Sequence, residues 1–288
     1  MTIQFKIIVP SYNCAYWIEK SLESLAQQNY PHYEICVIDD ASTDPKQWEI
    51  IQSFCKKYSW IGIRNKENHG ALYNIVQGFK YLNPKDEDVL FILDGDDCLF
   101  DKNVLSKLND YYQKEELYLS YGQYLSFPTW KRGLCKPISH SDIKTKNFRK
   151  LPWLFSQLRT FKFFLWKNIR DEDLRDKDGK YFTVAWDLAL MFPMLEMAGK
   201  HLKYTNDIFL IYNEWTPLND SKIRRQQQLD TGNYIRSLPS YPTLLHGSCE
   251  ISNKTRWNTF TLQMKRLRLR LREIYRKKMK KGIYADAK

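Results

Sequence analysis

The sequence predicts an α/β protein with a mostly parallel sheet flanked by helices. Two observations support this class. Apolar, strand-like runs alternate with segments of helical periodicity through the first 100 residues, and such alternation is typical of parallel strands joined by crossover helices. Polar residues also cluster directly after the strand-like runs, which is where sheets of this kind bind ligands.

The predicted elements follow one another in order. FKIIVP at 5–10 and YEICVIDD at 33–40 have the length and β-branched content of strands buried on both faces. The segment between them, AYWIEKSLESLAQQ, has apolar residues at helical spacing, so the three together predict a β-α-β unit. The pattern then continues with a helix at 44–58, a strand at 60–65, a helix at 71–82 and a strand at 89–94.

Polar residues follow each of the four predicted strands, at Pro10–Asn13, Asp39–Asp40, Asn65–Gly70 and Asp94–Asp97. One such group is typical of an ordinary turn. The carboxyl ends of parallel strands share one edge of a sheet, so four groups at successive strand ends predict a binding site there.

The fourth group, in VLFILDGDDC at 89–98, contains three carboxylates within four positions, Asp94, Asp96 and Asp97. Their mutual repulsion would be relieved by a divalent cation, and carboxylate oxygens suit Mg²⁺ or Mn²⁺. Gly95 is predicted to leave room for a substrate. Neither a GxGxxG turn after the first strand nor a GxxxxGK[ST] loop is present, so a metal ion is predicted to hold the substrate phosphates.

The net charge of +12 is concentrated near the end of the chain, where ten Lys or Arg residues face one acid between Met264 and Lys281. Apolar residues recur there at helical intervals, which predicts a basic amphipathic helix over 257–281. Such a helix either lies on an anionic membrane or docks on the folded body with its basic face in solvent. Charge confined to a tail does not indicate nucleic-acid binding.

The cysteine pattern and the amino terminus predict a cytoplasmic protein. The six cysteines show no CxxC spacing, the chain begins without a signal-like apolar region, and no apolar run reaches the roughly 20 residues of a spanning helix. The basic segment suggests that this cytoplasmic protein also binds peripherally to the inner face of a membrane.

The succession IIVPSYN, VIDDASTD, NKENHGALYNIVQGF and FILDGDD resembles the family 2 glycosyltransferases over about residues 3–100. This resemblance implies a GT-A fold with a Rossmann-like sheet, and a metal-dependent transfer of sugar from a nucleotide-diphosphate donor to an acceptor hydroxyl with inversion. It also implies a nucleotide-sugar half at 1–100, an acceptor and base half at 101–240 and the basic tail at 241–288.

The resemblance implies roles for residues at the four strand ends. Pro10, Tyr12 and Asp40 would hold the base, with Arg64 and Asn68 nearby. Asp94 would contact the ribose. Asp96, with or without Asp97, would bind Mn²⁺ or Mg²⁺ and the pyrophosphate. The Tyr12 ring and the Asp40 carboxylate suit the stacking face and the N–H of uridine, although thymidine offers the same two features. The implied nucleotide-sugar residues are Pro10, Tyr12, Asn13, Asp40, Arg64, Asn68, Gly70, Asp94, Gly95 and Asp96.

Inverting transfer needs a general base, and the resemblance implies an acid at the start of a helix in the second half. In YFTVAWDLALMFPMLEMAG this acid is Asp187. From the residues alone, Asp187 is an acid in the first turn of a helix, where its negative charge interacts favourably with the helix dipole. Glu172 and Asp173 are the alternative bases. Cations at Lys222, Arg224 or Arg225 are expected to hold the diphosphate in place of the His or Arg common in the family.

The segment 101–185 is expected to select the acceptor, which would be a glycan, a lipid-linked sugar or a protein. Trp130, Arg159 and Trp186 are the candidate contacts, because aromatic faces and cations suit sugar rings and anions. For the aromatic residues of LFSQLRTFKFFLW the prediction is helix packing.

Two other classes compete with a sugar transferase. A nucleotidyltransferase of sugar phosphates also uses paired carboxylates and a metal, but PSYNCAYW is not a glycine- and lysine-rich phosphate loop. A non-catalytic module that binds lipid or nucleic acid would use the basic charge and leave the carboxylate cluster unexplained.

Overall fold

The computed structural model describes residues 2–216 and 223–244. The chain divides into two units, Met1–Thr243 and Leu244–Lys288, and the description below concerns the first. The predicted basic helix at 257–281 and Lys222 lie outside the described residues. In the described part of the chain, no helix is long and apolar enough to cross a membrane.

The described strands form one sheet and alternate with helices. The strands are β1 Phe5–Ser11, β2 Tyr33–Asp39, β3 Ile61–Arg64, β4 Val89–Ile92, β5 Cys98–Leu99, β6 Leu119–Phe127, β7 Lys131–Arg132, β8 Arg159–Lys162 and β9 Leu202–Asn213. The helices are α1 Ile18–Ala26, α2 Pro45–Tyr58, α3 Ala71–Leu82, α4 Val104–Lys114, α5 His140–Thr145, α6 Phe163–Lys167, α7 Trp186–Ala198 and α8 Arg225–Ser237, with 3₁₀ turns at Asn147–Lys150 and Asp171–Leu174.

The sheet has the order β3-β2-β1-β4-β8-β6-β9-β5, with β7 paired to β6. Strands β1 to β4 are parallel. Strand β8 runs antiparallel to both β4 and β6, and β6 runs parallel to β9. The carboxyl ends of β1 to β4, β6 and β9 therefore share one edge. The predicted mostly parallel α/β sheet is confirmed.

The sheet curls because β5, the last strand in the sheet order, follows β4 closely in the chain. After β4 the chain turns through residues 94–97 and enters β5, which pairs antiparallel with the end of β9 and contacts α1. The acidic turn therefore connects β4, in the middle of the sheet order, to β5 at its end. It is placed at the carboxyl edge by both β4 and β9.

Local sequence explains where the helices over this edge begin. Asp44 caps α2 by accepting a hydrogen bond from the backbone N–H of Lys46 at 2.9 Å, and Pro45 occupies the first helical position. Gly70 precedes α3 with a φ of 85°, a left-handed backbone that favours glycine. Gly78 lets α3 approach β1, since a Cβ there would lie 2.9 Å from the Ile8 side chain.

The prediction that LFSQLRTFKFFLW packs as a helix is wrong for its central part. Residues 159–162 form β8, and only Phe163–Lys167 are helical. The reason is tertiary: β8 supplies the hydrogen-bonding partner for both β4 and β6, and strand pairing on two sides outweighs local periodicity.

A buried ion pair connects α7 to the segment that follows α8. Glu196 is fully buried and accepts hydrogen bonds from Arg149 Nε at 2.6 Å and Nη2 at 3.0 Å. It also accepts from the Tyr241 backbone N–H at 2.8 Å, while Arg149 Nη1 donates to the Ile235 carbonyl at 2.7 Å. Burial raises the pKa of Glu196, and Arg149 opposes that rise.

Replacing Arg149 with Met should destabilise the protein by about 3–5 kcal/mol, because it leaves the Glu196 carboxylate buried without its cation. Urea unfolding followed by circular dichroism measures the loss. The double variant Arg149→Met/Glu196→Leu removes both charges and should recover most of it. Equal stability of Arg149→Met and the wild type would contradict this account.

Candidate active site

Asp40 holds the loop that follows β3. It is 2% exposed, and its carboxylate accepts from the backbone N–H groups of His69 at 3.0 Å and Gly70 at 2.7 Å and from Asn65 Nδ2 at 2.8 Å. Asn68 Nδ2 donates to the Asp40 carbonyl at 3.3 Å. Two predicted strand ends therefore meet, and the hydrogen bonds of the Asp40 side chain are directed into this loop.

Gln47 joins the ends of β1 and β2, and the sequence analysis did not identify it. Its side chain is fully buried in α2. Nε2 donates to Asp39 Oδ1 at 3.0 Å and to Ser11 Oγ at 3.2 Å, and Oε1 accepts from the Cys14 backbone at 2.7 Å. A single glutamine within a helix carries no motif, so only the three-dimensional contacts identify it.

Arg64 and Asn13 complete this side of the site. Arg64 Nε lies 3.2 Å from Asp39 Oδ2, so the ion pair joins the ends of β2 and β3. Asn13 accepts from the Thr43 backbone N–H at 2.9 Å and its own N–H donates to Ser42 Oγ at 2.9 Å. These bonds fix the loop after β1, in which the Tyr12 side chain remains 41% exposed.

The expected role of Gly95 needs a correction. Its N–H donates to the Pro10 carbonyl at 3.0 Å. A Cβ at this position would lie 2.6 Å from Ser11 Cβ and 3.1 Å from Cys14 Sγ. Gly95 therefore makes room for the end of β1, and not for a substrate.

The acids of the 94–97 turn have different environments. Asp94 and Asp96 are half-buried, whereas Asp97 is 1% exposed. One oxygen of Asp97 accepts from the Asn213 backbone N–H at 2.8 Å, and the other, Oδ2, is buried without a hydrogen-bond partner. Burial, reinforced by the negative charges of Asp96 and Asp94, raises the pKa of Asp97 well above its usual range. Burial likewise raises the pKa of Asp96 to about 6.

These properties fit a divalent cation. Buried carboxylates that repel one another are stabilised by a nearby positive charge, and the unpartnered Oδ2 of Asp97 is a hard oxygen donor of the type that Mg²⁺ and Mn²⁺ prefer. Within residues 2–216 and 223–244, no group of three His, Cys, Asp or Glu side chains forms a metal site by itself. A cation here would therefore need further oxygens from phosphate or water, as Mg²⁺ commonly does.

Arg159 pairs with the predicted base and acts electrostatically on the acidic turn. It is 6% exposed, and its Nη1 lies 3.3 Å from Asp187 Oδ2. Its guanidinium carbon is 5.4 Å from the centre of the Trp186 ring, and its charge lowers the pKa of Asp97. The guanidinium is thus buried among protein groups, which corrects the expectation that Arg159 contacts an acceptor.

Asp187 occupies the first turn of α7 with its side chain 24% exposed. Burial raises its pKa, while the Arg159 charge and the Leu188 backbone N–H oppose the rise. Of the alternative bases, Asp173 is 3% exposed and paired with Arg170 at 2.7 Å, and its carboxylate accepts from the Tyr241 hydroxyl. Glu172 is exposed on the 3₁₀ turn.

The remaining predicted residues lie around the edge. Arg224 Nη2 donates to the Thr183 carbonyl at 3.5 Å, and Thr183 lies beside Gly70 at the start of α3. Arg225 begins α8. Trp130 is 55% exposed in the turn between β6 and β7, and its ring centre is 5.7 Å from that of Phe127.

The sequence profile described as Glycosyl transferase family 2 matches residues 6–168, which include β1 to β4, the acidic turn and β8. The chain belongs to glycosyltransferase family 2. This confirms the resemblance noted at the four strand ends.

Relatives named as glycosyltransferases agree with this assignment. The protein named Uncharacterized glycosyltransferase MG060 from Mycoplasma genitalium is 28% identical over 172 residues, which are 56% of this chain and 55% of that protein. The chain therefore spans about half the length of this relative, and its match to MG025 from the same organism spans 33% of that protein.

Two solved structures share the fold. Staphylococcus aureus TarS 1-349 in complex with UDP-GlcNAc has a TM-score of 0.57 at 19% identity, covering 76% of this chain and 61% of that one. The mannosyltransferase PcManGT from Pyrobaculum calidifontis, in complex with GDP-Man and Mn²⁺, has a TM-score of 0.51 at 19% identity, covering 82% and 65%. The family 2 chain thus has the GT-A fold.

Replacing Gly95 with Ala should destabilise the protein by about 1–3 kcal/mol, because the new methyl group would displace the end of β1. Thermal and urea unfolding measure the change. Gly232→Ala in α8 is the matched control, since a Cβ there has its nearest contact at 3.5 Å, and it should stabilise the protein by about 0.5–1 kcal/mol. Equal effects of the two substitutions would contradict the packing role of Gly95.

Proposed function

We propose that this family 2 glycosyltransferase moves a sugar from a nucleoside-diphosphate donor to an acceptor hydroxyl with inversion, and that Asp187 is the general base. One observation carries the proposal. The buried Arg159 has its Nη1 3.3 Å from Asp187 Oδ2, and its positive charge lowers the pKa of Asp97 in the acidic turn. The proposed base and the proposed phosphate site are therefore parts of one charged network.

The loops that follow the strands form the proposed binding site for the donor. Tyr12 offers an exposed ring for stacking on a base, and the loop that Asp40 organises holds Asn68 and Gly70 beside it. We assign base contact to Tyr12, with Asp40 supporting the site through the loop. A UDP-sugar is the first choice because TarS 1-349 was solved with UDP-GlcNAc, and GDP is the comparison because PcManGT was solved with GDP-Man.

Asp96 and Asp97, with Asp94 nearby, are the residues that would hold Mn²⁺ or Mg²⁺. The cation would neutralise the diphosphate as it leaves the sugar. The positive charge of Arg159 favours the ionised form of Asp97, and the Asn213 backbone N–H donates a hydrogen bond to the same carboxylate. Arg224 and Arg225 remain candidate cations for the phosphates.

Asp187 would accept the proton of the acceptor hydroxyl as its oxygen attacks the anomeric carbon. The bond from that carbon to the diphosphate oxygen breaks on the opposite face, which inverts the configuration. The charge of Arg159 opposes the rise that burial causes in the pKa of Asp187 and so favours the ionised carboxylate, which is the form that accepts a proton. The Trp186 ring lies beside the Arg159 guanidinium, at a distance that allows a cation–π interaction.

The acceptor is proposed to be a glycan, free or linked to lipid or protein. Peripheral membrane contact through 257–281 remains a prediction from the sequence. Deleting that segment and measuring flotation with anionic liposomes separates the membrane-bound helix from the docked one.

The Asp96→Ala variant should lose metal-dependent donor binding, because it removes a proposed ligand of the cation. The measurement is the shift in melting temperature caused by UDP or GDP, each with and without Mn²⁺. The wild type should be stabilised by one nucleotide in the presence of Mn²⁺, and its identity gives the donor base. Asp110→Ala, which removes an exposed acid of α4, is the control. Nucleotide stabilisation of Asp96→Ala equal to that of the wild type would disprove the assignment.

The Asp187→Asn variant should bind donor normally and lose about 10²–10⁴-fold in turnover, because the amide cannot accept the proton. Transfer from a panel of sugar nucleotides, followed as nucleotide release, measures turnover, and the Mn²⁺-dependent melting shift measures binding. Near-normal turnover would show that another group is the base.

Removing Arg159 should move the acid limb of the pH–rate profile to higher pH. Burial raises the pKa of Asp187 and Arg159 opposes that rise, so Arg159→Met should raise the pKa of Asp187 further. The base is active only when it is ionised. As the pH is lowered, the variant should therefore lose activity at a higher pH than the wild type does. The profile of kcat/KM is measured at saturating Mn²⁺, with Arg159→Lys as the control that keeps the charge. A midpoint shared by all three proteins would contradict the coupling.

A further inference from the structure

An exposed group of five aromatic side chains lies near the acidic turn. We name it the aromatic platform, and its members are Tyr16, Trp17, Phe127, Trp130 and Trp215. Three of these side chains are mostly exposed: Tyr16 at 75%, Trp130 at 55% and Trp215 at 63%. Single exposed aromatics are common on protein surfaces, but a continuous group marks a binding site.

The platform is assembled from three segments at the carboxyl edge of the sheet. Tyr16 and Trp17 follow β1, Phe127 ends β6 and Trp130 lies in the turn after it, and Trp215 follows β9. The Trp17 ring centre is 5.6 Å from that of Phe127 and 6.4 Å from that of Trp215. Phe127 is 5.8 Å from Trp215, so the rings form one connected surface.

Hydrogen bonds tie the platform directly to the acidic turn. The Trp215 backbone N–H donates to Asn213 Oδ1 at 2.9 Å, and the Asn213 backbone N–H donates to Asp97 at 2.8 Å. The next residue, Thr216, has its side chain hydrogen-bonded to Asp96. The aromatic rings therefore border the site where the donor phosphates are proposed to lie.

Polar groups lie at the margin of the rings. Lys20 Nζ is 5.4 Å from the Trp17 ring centre and 5.8 Å from that of Tyr16. Glu214 accepts a hydrogen bond from Ser126 Oγ at 2.7 Å beside Trp215. Aromatic faces attract the polarised C–H groups of a sugar ring, and a few polar groups at the margin suit its hydroxyls.

We propose that the aromatic platform binds the acceptor, and that the acceptor is an oligosaccharide. This inference rests on the proposed transfer reaction and specifies its acceptor class. Trp130 and Trp215 each lie against Phe127, with ring centres 5.7 Å and 5.8 Å from it. The surface is therefore wider than one ring, and it suits a chain of sugars over a single monosaccharide. Its position beside Asp96 and Asp97 directs the end of that chain to the proposed donor site.

Saturation-transfer NMR and calorimetry with three soluble probes test the platform: cellopentaose, chitopentaose and penta-galacturonate. The wild type should bind at least one of them. Trp130→Ala and Trp215→Ala should each weaken that binding at least tenfold. Tyr81→Ala removes an aromatic side chain of similar exposure, 51%, near the far end of α3, and should leave binding unchanged. Melting curves identify any variant that fails to fold.

Absence of binding to all three probes, or equal binding by the tryptophan variants and the wild type, would overturn the inference. Two further results would also overturn it: a wild-type dimer in sedimentation that the tryptophan variants dissociate, or anionic vesicle binding that they abolish. Hydrolysis of UDP-GlcNAc and GDP-Man by the wild type, measured in parallel, tests the transfer reaction independently. Oligosaccharide binding without hydrolysis of either donor would keep the platform and contradict the proposed reaction.

Discussion

The arrangement of the site depends on burying several negative charges beside one positive charge. Asp97 is almost fully buried next to Asp94 and Asp96, and its pKa is raised because burial and repulsion disfavour its charge. Arg159, held in β8 between β4 and β6, is the buried cation whose charge acts on both Asp97 and Asp187. The antiparallel strand in an otherwise parallel region thus provides the charge that stabilises the carboxyl edge.

The sheet brings residues that are distant in sequence to this edge. Asp97 accepts from Asn213, 116 positions away, because β5 pairs with the end of β9. The same pairing places Trp215 near Trp17 and Phe127. The polar site and the aromatic surface therefore share one structural cause, which is the curl of the sheet from β4 round to β5.

The first 100 residues could be predicted well because local patterns determine them. The α3 helix has the predicted bounds, and the four strand ends meet as their parallel order requires. Other features depend on long-range contacts. Residues 159–162 form a strand because they pair with β4 and β6 on either side. Gln47 acts through three buried hydrogen bonds. A glycine is needed at position 95 because Ser11 leaves no space for a Cβ. No local motif encodes these contacts.

A crystal structure of the protein with UDP and Mn²⁺, analysed by anomalous scattering, would show whether the acidic turn holds a metal-bound diphosphate. We expect an anomalous peak in direct coordination with Asp96 or Asp97, with the diphosphate on the same ion and Tyr12 against the base. The partly buried Asp187 side chain should face the open position beside the terminal phosphate. A nucleotide bound at this edge without a metal peak at either aspartate, or bound elsewhere on the protein, would contradict the account.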